Sequence, residues 1–166
     1  MASRDEFCNV ITDIWKNHGV YVWSGNGEYL ENLRIRDIVN MEDSTANVAR
    51  VLRTVALYYE RGYNMKKSRC CDCSGLVIAA LRDIKAISSS DDFRAKDLQK
   101  MSEKVLIKDL QPGDLVFNKT ADASHVGVYV GYDMVIEAQG RDYGITKSLL
   151  KDRSVFIIGG RLPYFK

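Results

Sequence analysis

Histidine is almost missing from this chain: among 166 residues only His18 and His125 carry an imidazole. Cys70 and Cys73 have the C-x-x-C spacing of redox and zinc sites. No second such pair and no histidine pair completes the four ligands that a structural zinc takes. Charge of one sign is scarce as well. A net charge of +2 is too small to argue for nucleic acid and only mildly favours an anionic polymer as partner. Long apolar runs are also lacking. Met1 to Glu6 leads into an amphipathic stretch without a continuous apolar core, and no stretch approaches transmembrane length. No signal peptide and no membrane contact are expected. The protein is expected to be made in the cytoplasm and to stay there unless lysis or another device releases it. Four cysteines, three of them within 70–73, make no secreted disulfide framework. Repeats, low-complexity linkers and appended binding modules are not found.

What is present fits one globular domain over 1–166, with 46% hydrophobic and 28% charged residues, long enough to bury a core. Phe7, Val10, Ile11, Ile14 and Trp15 have helical spacing over 4–18, with Gly19 as a stop and His18 suited by charge to the helix C-terminus. Residues 21–27 read as an extended piece ending in a glycine-rich turn, and 28–43 as a broken helix. A helix runs from Ser44 or Thr45 to about Gly62, and another from about Asp72 to Arg82. After a loop at 88–91, a helix holds Phe93, Leu98 and Met101. The period then changes to two, predicting strands at 105–107, 115–117, 125–130, 134–138 and 155–158. Helices first and an antiparallel sheet second make the expected class α+β.

The chemistry-bearing feature is Cys73, at the head of the segment Asp72-Cys73-Ser74-Gly75-Leu76-Val77. A cysteine within an apolar helix is ordinarily inert core. This one opens its helix, where the N-terminus favours a thiolate, and a distant strand supplies the imidazole of His125. A thiolate that attacks and an imidazole that takes and returns the proton form a nucleophilic pair. Downstream, Asp109 to Phe117 is a turn at Pro112-Gly113 leading into a strand, with Asp114 as a turn residue. Alternation in Ser124 to Gly131 places His125, Gly127 and Tyr129 on one face and the valines on the other. Glycine at 127 is expected to leave room for a substrate backbone. Cys8 reads as structural, and Arg141 and Asp142 as solvated residues able to line a groove.

Asp-Cys-Ser-Gly-Leu-Val, Leu-Gln-Pro-Gly-Asp-Leu-Val-Phe and His-Val-Gly-Val-Tyr-Val-Gly, in that order, closely resemble the NlpC-type cell-wall endopeptidases, which are papain-like cysteine peptidases. The resemblance is strong over about 70–140. It extends to Tyr21-Val22-Trp23-Ser24-Gly25, which looks like the family's Tyr-x-Trp-Gly-Gly segment. It implies a papain-like fold, with a Cys73 helix packed on an antiparallel sheet. Cys73 is then the nucleophile and His125 the base. The third member is the polar residue twelve positions after the histidine, which is Glu137 where the family most often has His. A carboxylate there can still hold the imidazole tautomer, and Gln139, of the same strand parity, is the reserve candidate. Tyr21 is implied to bind substrate or oxyanion, although it lies 52 positions before Cys73 instead of about a dozen. Residues at about 28–69 are then a helical insertion, and Tyr63 is the competing tyrosine. Asp72, as helix cap or amine contact, together with Ser74 and Trp23, completes the implied substrate site.

The implied reaction is hydrolysis of peptidoglycan stem peptides or muropeptides at the γ-D-glutamyl–diamino acid bond (diaminopimelate or lysine), without metal or organic cofactor. A phage lysin or tail-delivered hydrolase fits the lack of a leader, and a recycling enzyme for free muropeptides is also open. The alternatives are a CHAP-type amidase cutting the sugar–peptide link and a wall-binding module without catalysis. The sequence does not indicate an oligomeric state.

Overall fold

The computed structural model describes residues 2–165. Helix α1 (Arg4–Lys16) begins with a reciprocal cap: the Glu6 N–H donates to Ser3 Oγ at 3.0 Å, and the Ser3 N–H donates back to Glu6 Oε2 at 3.0 Å. Its Phe7, Ile11 and Ile14 are buried. The helix ends at Lys16, three residues before the expected glycine, with His18 itself in the left-handed region (φ 56°). The His18 ring stacks on Tyr63 at 3.7 Å, and burial lowers its pKa. Aromatic packing therefore holds His18, and burial works against the charge that the helix C-terminus was expected to favour.

Strand β1 (Val20–Tyr21) pairs in parallel with β3 (Arg69–Cys71), which pairs on its other side with antiparallel β2 (Asn26–Tyr29). Between β2 and β3 lie α2 (Ile35–Met41) and α3 (Thr45–Glu60). The segment read as a broken helix is thus a strand, a short 3-10 turn and a helix. Ser44 caps α3 by accepting from the Asn47 N–H at 3.2 Å. Val20, Val22, Leu30, Ile38, Val48, Val51 and Met65 give this part its own apolar cluster.

Helix α4 (Cys73–Asp83) follows β3 after one capping residue, and Gly75 through Leu81 are all buried. Burial on every side is what its continuous apolar run demands, at about 1.5–3 kcal/mol for each large aliphatic side chain. It packs against α1 on one side and the larger sheet on the other. Helix α5 (Ala95–Met101) begins two residues after Phe93, later than expected, because the Asp97 carboxylate accepts the Arg94 N–H at 3.1 Å and sets the start there.

Six antiparallel strands complete the fold: β4 (Glu103–Val105), β5 (Leu115–Phe117), β6 (Val126–Gly131), β7 (Met134–Ala138), β8 (Ile145–Leu149) and β9 (Ile158–Arg161), in the order β4-β9-β5-β6-β7-β8. Three expectations shift here. The strand expected at 105–107 lies at 103–105, because a 3-10 turn takes over at Ile107. The strand expected at 155–158 begins only at Ile158: Val155 and Ile157 are exposed, and the Phe156 N–H closes a turn onto Arg153 O. Strand β8 was not expected at all. The α+β class and the antiparallel sheet are as expected. Among the described residues no helix is long and apolar enough to cross a membrane.

Candidate active site

Asp72 creates the head of α4. Its Oδ1 accepts the Gly75 N–H at 2.7 Å, and its Oδ2 accepts the Ser24 N–H at 3.1 Å. Burial raises its pKa against the hydrogen bonds from Gly75, Ser74 and Ser24. The same carboxylate therefore caps the helix and ties it to the 22–25 turn, which makes it a cap first. Gly75 is required by close approach: a Cβ there would lie 1.7 Å from the Gly25 carbonyl oxygen. Ser24 adopts a left-handed conformation (φ 60°) where the resembled family has glycine.

Cys73 is the first residue of the helix and half-buried, and its thiol donates to Ser124 O at 3.9 Å. The Cys73 and Ser74 N–H groups belong to the first turn, which has no intrahelical acceptors. Asn118, just past β5, fixes the opposite wall. Its side-chain oxygen accepts the N–H groups of Ser124 and His125 at 3.0 and 2.9 Å, which delivers His125 one residue before β6.

His125 Nε2 lies 2.6 Å from Glu137 Oε2. Glu137 is fully buried on β7 and also accepts from Arg153 Nε and from Arg153 Nη2 (3.0 Å). Burial opposes charge on His125, yet hydrogen bonds to Cys73 and Glu137 outweigh it and carry the ring up to about 9. Burial likewise opposes charge on Glu137, and the bonds from His125 and Arg153 hold its carboxyl below the usual range. At neutral pH the site thus favours a protonated imidazole, held between the Cys73 sulfur and a carboxylate. Gln139 accepts from Thr146 Oγ1 at 2.8 Å, and Glu137 is the residue bonded to the histidine.

Phe156 stacks on the His125 ring, with centroids 5.5 Å apart and planes 15° apart. This overturns the reading of Gly127 as room for substrate: a Cβ there would lie 2.9 Å from the Phe156 ring and 3.0 Å from Val135. The space is filled by the platform under the histidine.

A groove of about 600 Å³ runs over this centre. Tyr21, Trp23, Asp72 and Ser74 line it beside Cys73 and His125, and Phe93 and Arg94 lie farther along. Burial, with the nearby Cys73 and Asp72, raises the Tyr21 hydroxyl to about 12 and keeps it a donor. Tyr63 is elsewhere, stacked on His18 near Tyr58. Arg141 is not solvated. It donates to Glu42 Oε2 at 2.9 and 2.7 Å, and its guanidinium stands 5.4 Å over the Tyr21 ring and 6.0 Å over that of Trp23. Asp142 is paired with Arg50 at 2.6 Å.

Burial pushes the Cys70 thiol up to about 12, that of Cys71 well above its ordinary value and that of Cys8 to about 11, leaving Cys73 as the accessible thiol of the 70–73 cluster. Among the described residues no group of three or more His, Cys, Asp or Glu could hold a metal ion. Asn118, Arg153, Phe156 and Glu42 were not anticipated as site residues. They act through contacts between distant segments, which local spacing does not encode.

A sequence model of the NlpC/P60 family matches residues 57–155. No curated protein matches the chain. Among solved structures, the chain is similar to the peptidoglycan hydrolase RipB of Mycobacterium tuberculosis (TM-score 0.62, 21% identity, 96% of this chain and 65% of that one). It is also similar to NlpC2 of Trichomonas vaginalis (0.59, 17%, 95% and 46%). A third is the P60 domain of antigen MAP1204 of M. avium subspecies paratuberculosis (0.57, 17%, 96% and 96%). The chain thus spans about two thirds and about half of the first two and nearly all of the third. At these identities the likeness establishes the papain-like fold.

Proposed function

The chain belongs to the NlpC/P60 family, and on that premise we propose that it is a cysteine peptidase acting on peptidoglycan stem peptides. The observation that carries this reading is the line Cys73–His125–Glu137, with the carboxylate 2.6 Å from the far imidazole nitrogen. Cys73, with its proton already on His125, attacks the amide carbon as the thiolate. Its sulfur forms a thioester while the amine leaves with a proton from His125. The His125 ring, now neutral, takes a proton from the attacking water, which releases the acyl group and restores the thiolate and the imidazolium. The first-turn N–H groups of Cys73 and Ser74, with the Tyr21 hydroxyl, stabilise the oxyanion. Glu137 holds the tautomer and supports the imidazolium.

The bond we assign is that between γ-D-glutamate and the following diamino acid. We read residues 28–69 as an insertion that shapes the groove, because its Glu42 holds Arg141 against Tyr21 and Trp23 and accepts the Trp23 N–H at 3.0 Å. Purified sacculi of the diaminopimelate and lysine types, digested by wild type and Cys73→Ala, test this by mass spectrometry. Fragments beginning at the diamino acid, absent with the variant, are the expected products. Intact stem peptides would indicate an amidase. No cleavage of sacculi or soluble muropeptides by the folded, reduced protein would overturn the enzyme reading.

A further inference from the structure

We propose that Arg153 is a positioning residue of the reaction: it shares one Glu137 oxygen with His125 and so limits how firmly the imidazole keeps its proton. The inference rests on the reading of Cys73, His125 and Glu137 as the reacting line.

Three features support it. Arg153 Nη2 and His125 Nε2 both approach Glu137 Oε2, at 3.0 and 2.6 Å, while Arg153 Nε takes the other oxygen. The two cations therefore share one carboxylate that is fully shielded from solvent, and they meet on the same oxygen of it. Second, the Arg153 guanidinium lies 6.0 Å from the Phe156 ring centre, and that ring supports His125. Third, the backbone fixes the arginine: its N–H donates to Leu150 O at 2.9 Å, and its carbonyl accepts the Phe156 N–H at 3.0 Å. One short turn thus aims both the fork at Glu137 and the ring at His125.

The chemical consequence follows from the two half-reactions. Acylation needs a protonated imidazole to give its proton to the leaving amine, and deacylation needs a neutral one to take a proton from water. A buried glutamate serving His125 alone would favour the first and retard the second. The guanidinium draws off part of that charge. The other titratable groups are Cys73 from α4 and, along the groove, Tyr21, Asp72, Asp92, Arg94, Lys96 and Asp122; Tyr143 acts on the arginine itself. None of these shares an oxygen with His125.

The test is imidazole NMR titration of the whole protein, in which only two histidines give signals, for wild type, Arg153→Gln and Arg153→Lys. Thermal melts check that each is folded. Losing the cation should move the His125 midpoint up by about one unit, and lysine should hold it near wild type. Iodoacetamide alkylation of Cys73 at neutral pH should be retained in Arg153→Gln while peptide turnover falls, a split that general loosening would not produce. A His125 midpoint that stays or falls in folded Arg153→Gln overturns the proposal. Alkylation of Cys73 in the wild-type protein that is insensitive to His125→Ala would instead remove the reacting line on which it rests.

Discussion

Replacing Glu137 by Gln keeps the shape of the side chain and removes its charge. In the folded protein that carboxylate accepts from His125 and doubly from Arg153, with no exposure to water. Breaking a buried ion pair from one side costs about 3–5 kcal/mol. Because the Arg153 and His125 side chains remain 24% and 21% exposed, a discount below that range applies, to about 2–3 kcal/mol. For a chain of this length that is a fall in Tm of roughly 4–12 °C. The larger effect falls on the histidine. With the carboxylate gone, burial is opposed mainly by Cys73, and the ring should drop from about 9 by about 1–3 units. With a midpoint near 7, only about one ring in ten is protonated at pH 8. The assay is the pH profile of kcat/KM on a γ-D-glutamyl–diamino acid peptide. Because the protonated ring is lost as pH rises through the folded pKa, the basic limb should move down from near 9, and for a midpoint near 7 activity at pH 8 should fall about tenfold. A basic limb that stays near 9, with kcat/KM at pH 8 within about twofold of wild type, would refute the reasoning.

Asp114, fully buried, accepts from Arg4, Arg161 and the Gln111 N–H, and joins α1 to the end of the sheet. Asp114→Asn should destabilise by about 2–4 kcal/mol in denaturant melts. Its lowered pKa sets the sign of a further effect: the wild-type contribution is full above the unfolded carboxylate range and is lost as pH falls through the folded value, so the two proteins should converge in acid. Gly127→Ala pushes a methyl into Phe156 and should cost about 1–3 kcal/mol while lowering kcat, as measured by melts and steady-state rates. Tyr21→Phe should lower kcat/KM by about 10–100-fold, whereas Tyr63→Phe should leave it unchanged.

How much of this was legible in the sequence depends on how far apart the cooperating residues lie. Caps were readable: Ser44 and Asp72 each accept from a residue three positions on, and a short pattern shows that. Cys73 was readable because it opens its helix, and His125 because it stands at the start of an alternating run, one residue before β6; Glu137 came only from the family spacing of twelve. Strand β8 was not, since Thr146, Lys147 and Ser148 at a sheet edge carry little apolar alternation. Strand β9 was displaced because Gly159 and Gly160 lack strand character while exposed Val155 and Ile157 imitate it. Arg153 lies in a turn, and Glu42 finds Arg141 across 99 positions. Such pairings follow from the packed topology alone.

The anchoring of α3 has a consequence for how the molecule forms. Arg50 holds Asp142, Thr54 Oγ1 donates to Arg141 O at 2.8 Å, and Tyr58 OH donates to Tyr143 O at 3.3 Å, each bond spanning 85 or more positions. Closing loops of that size loses chain entropy before any contact rewards it, and such topologies fold slowly. The 28–69 region and the β7–β8 turn should therefore lock in one late, cooperative step, and hydrogen exchange should show them opening together. Until that step, the groove wall beside Cys73 is unfinished, so a partly folded chain can own the nucleophile and yet have nowhere to seat a peptide.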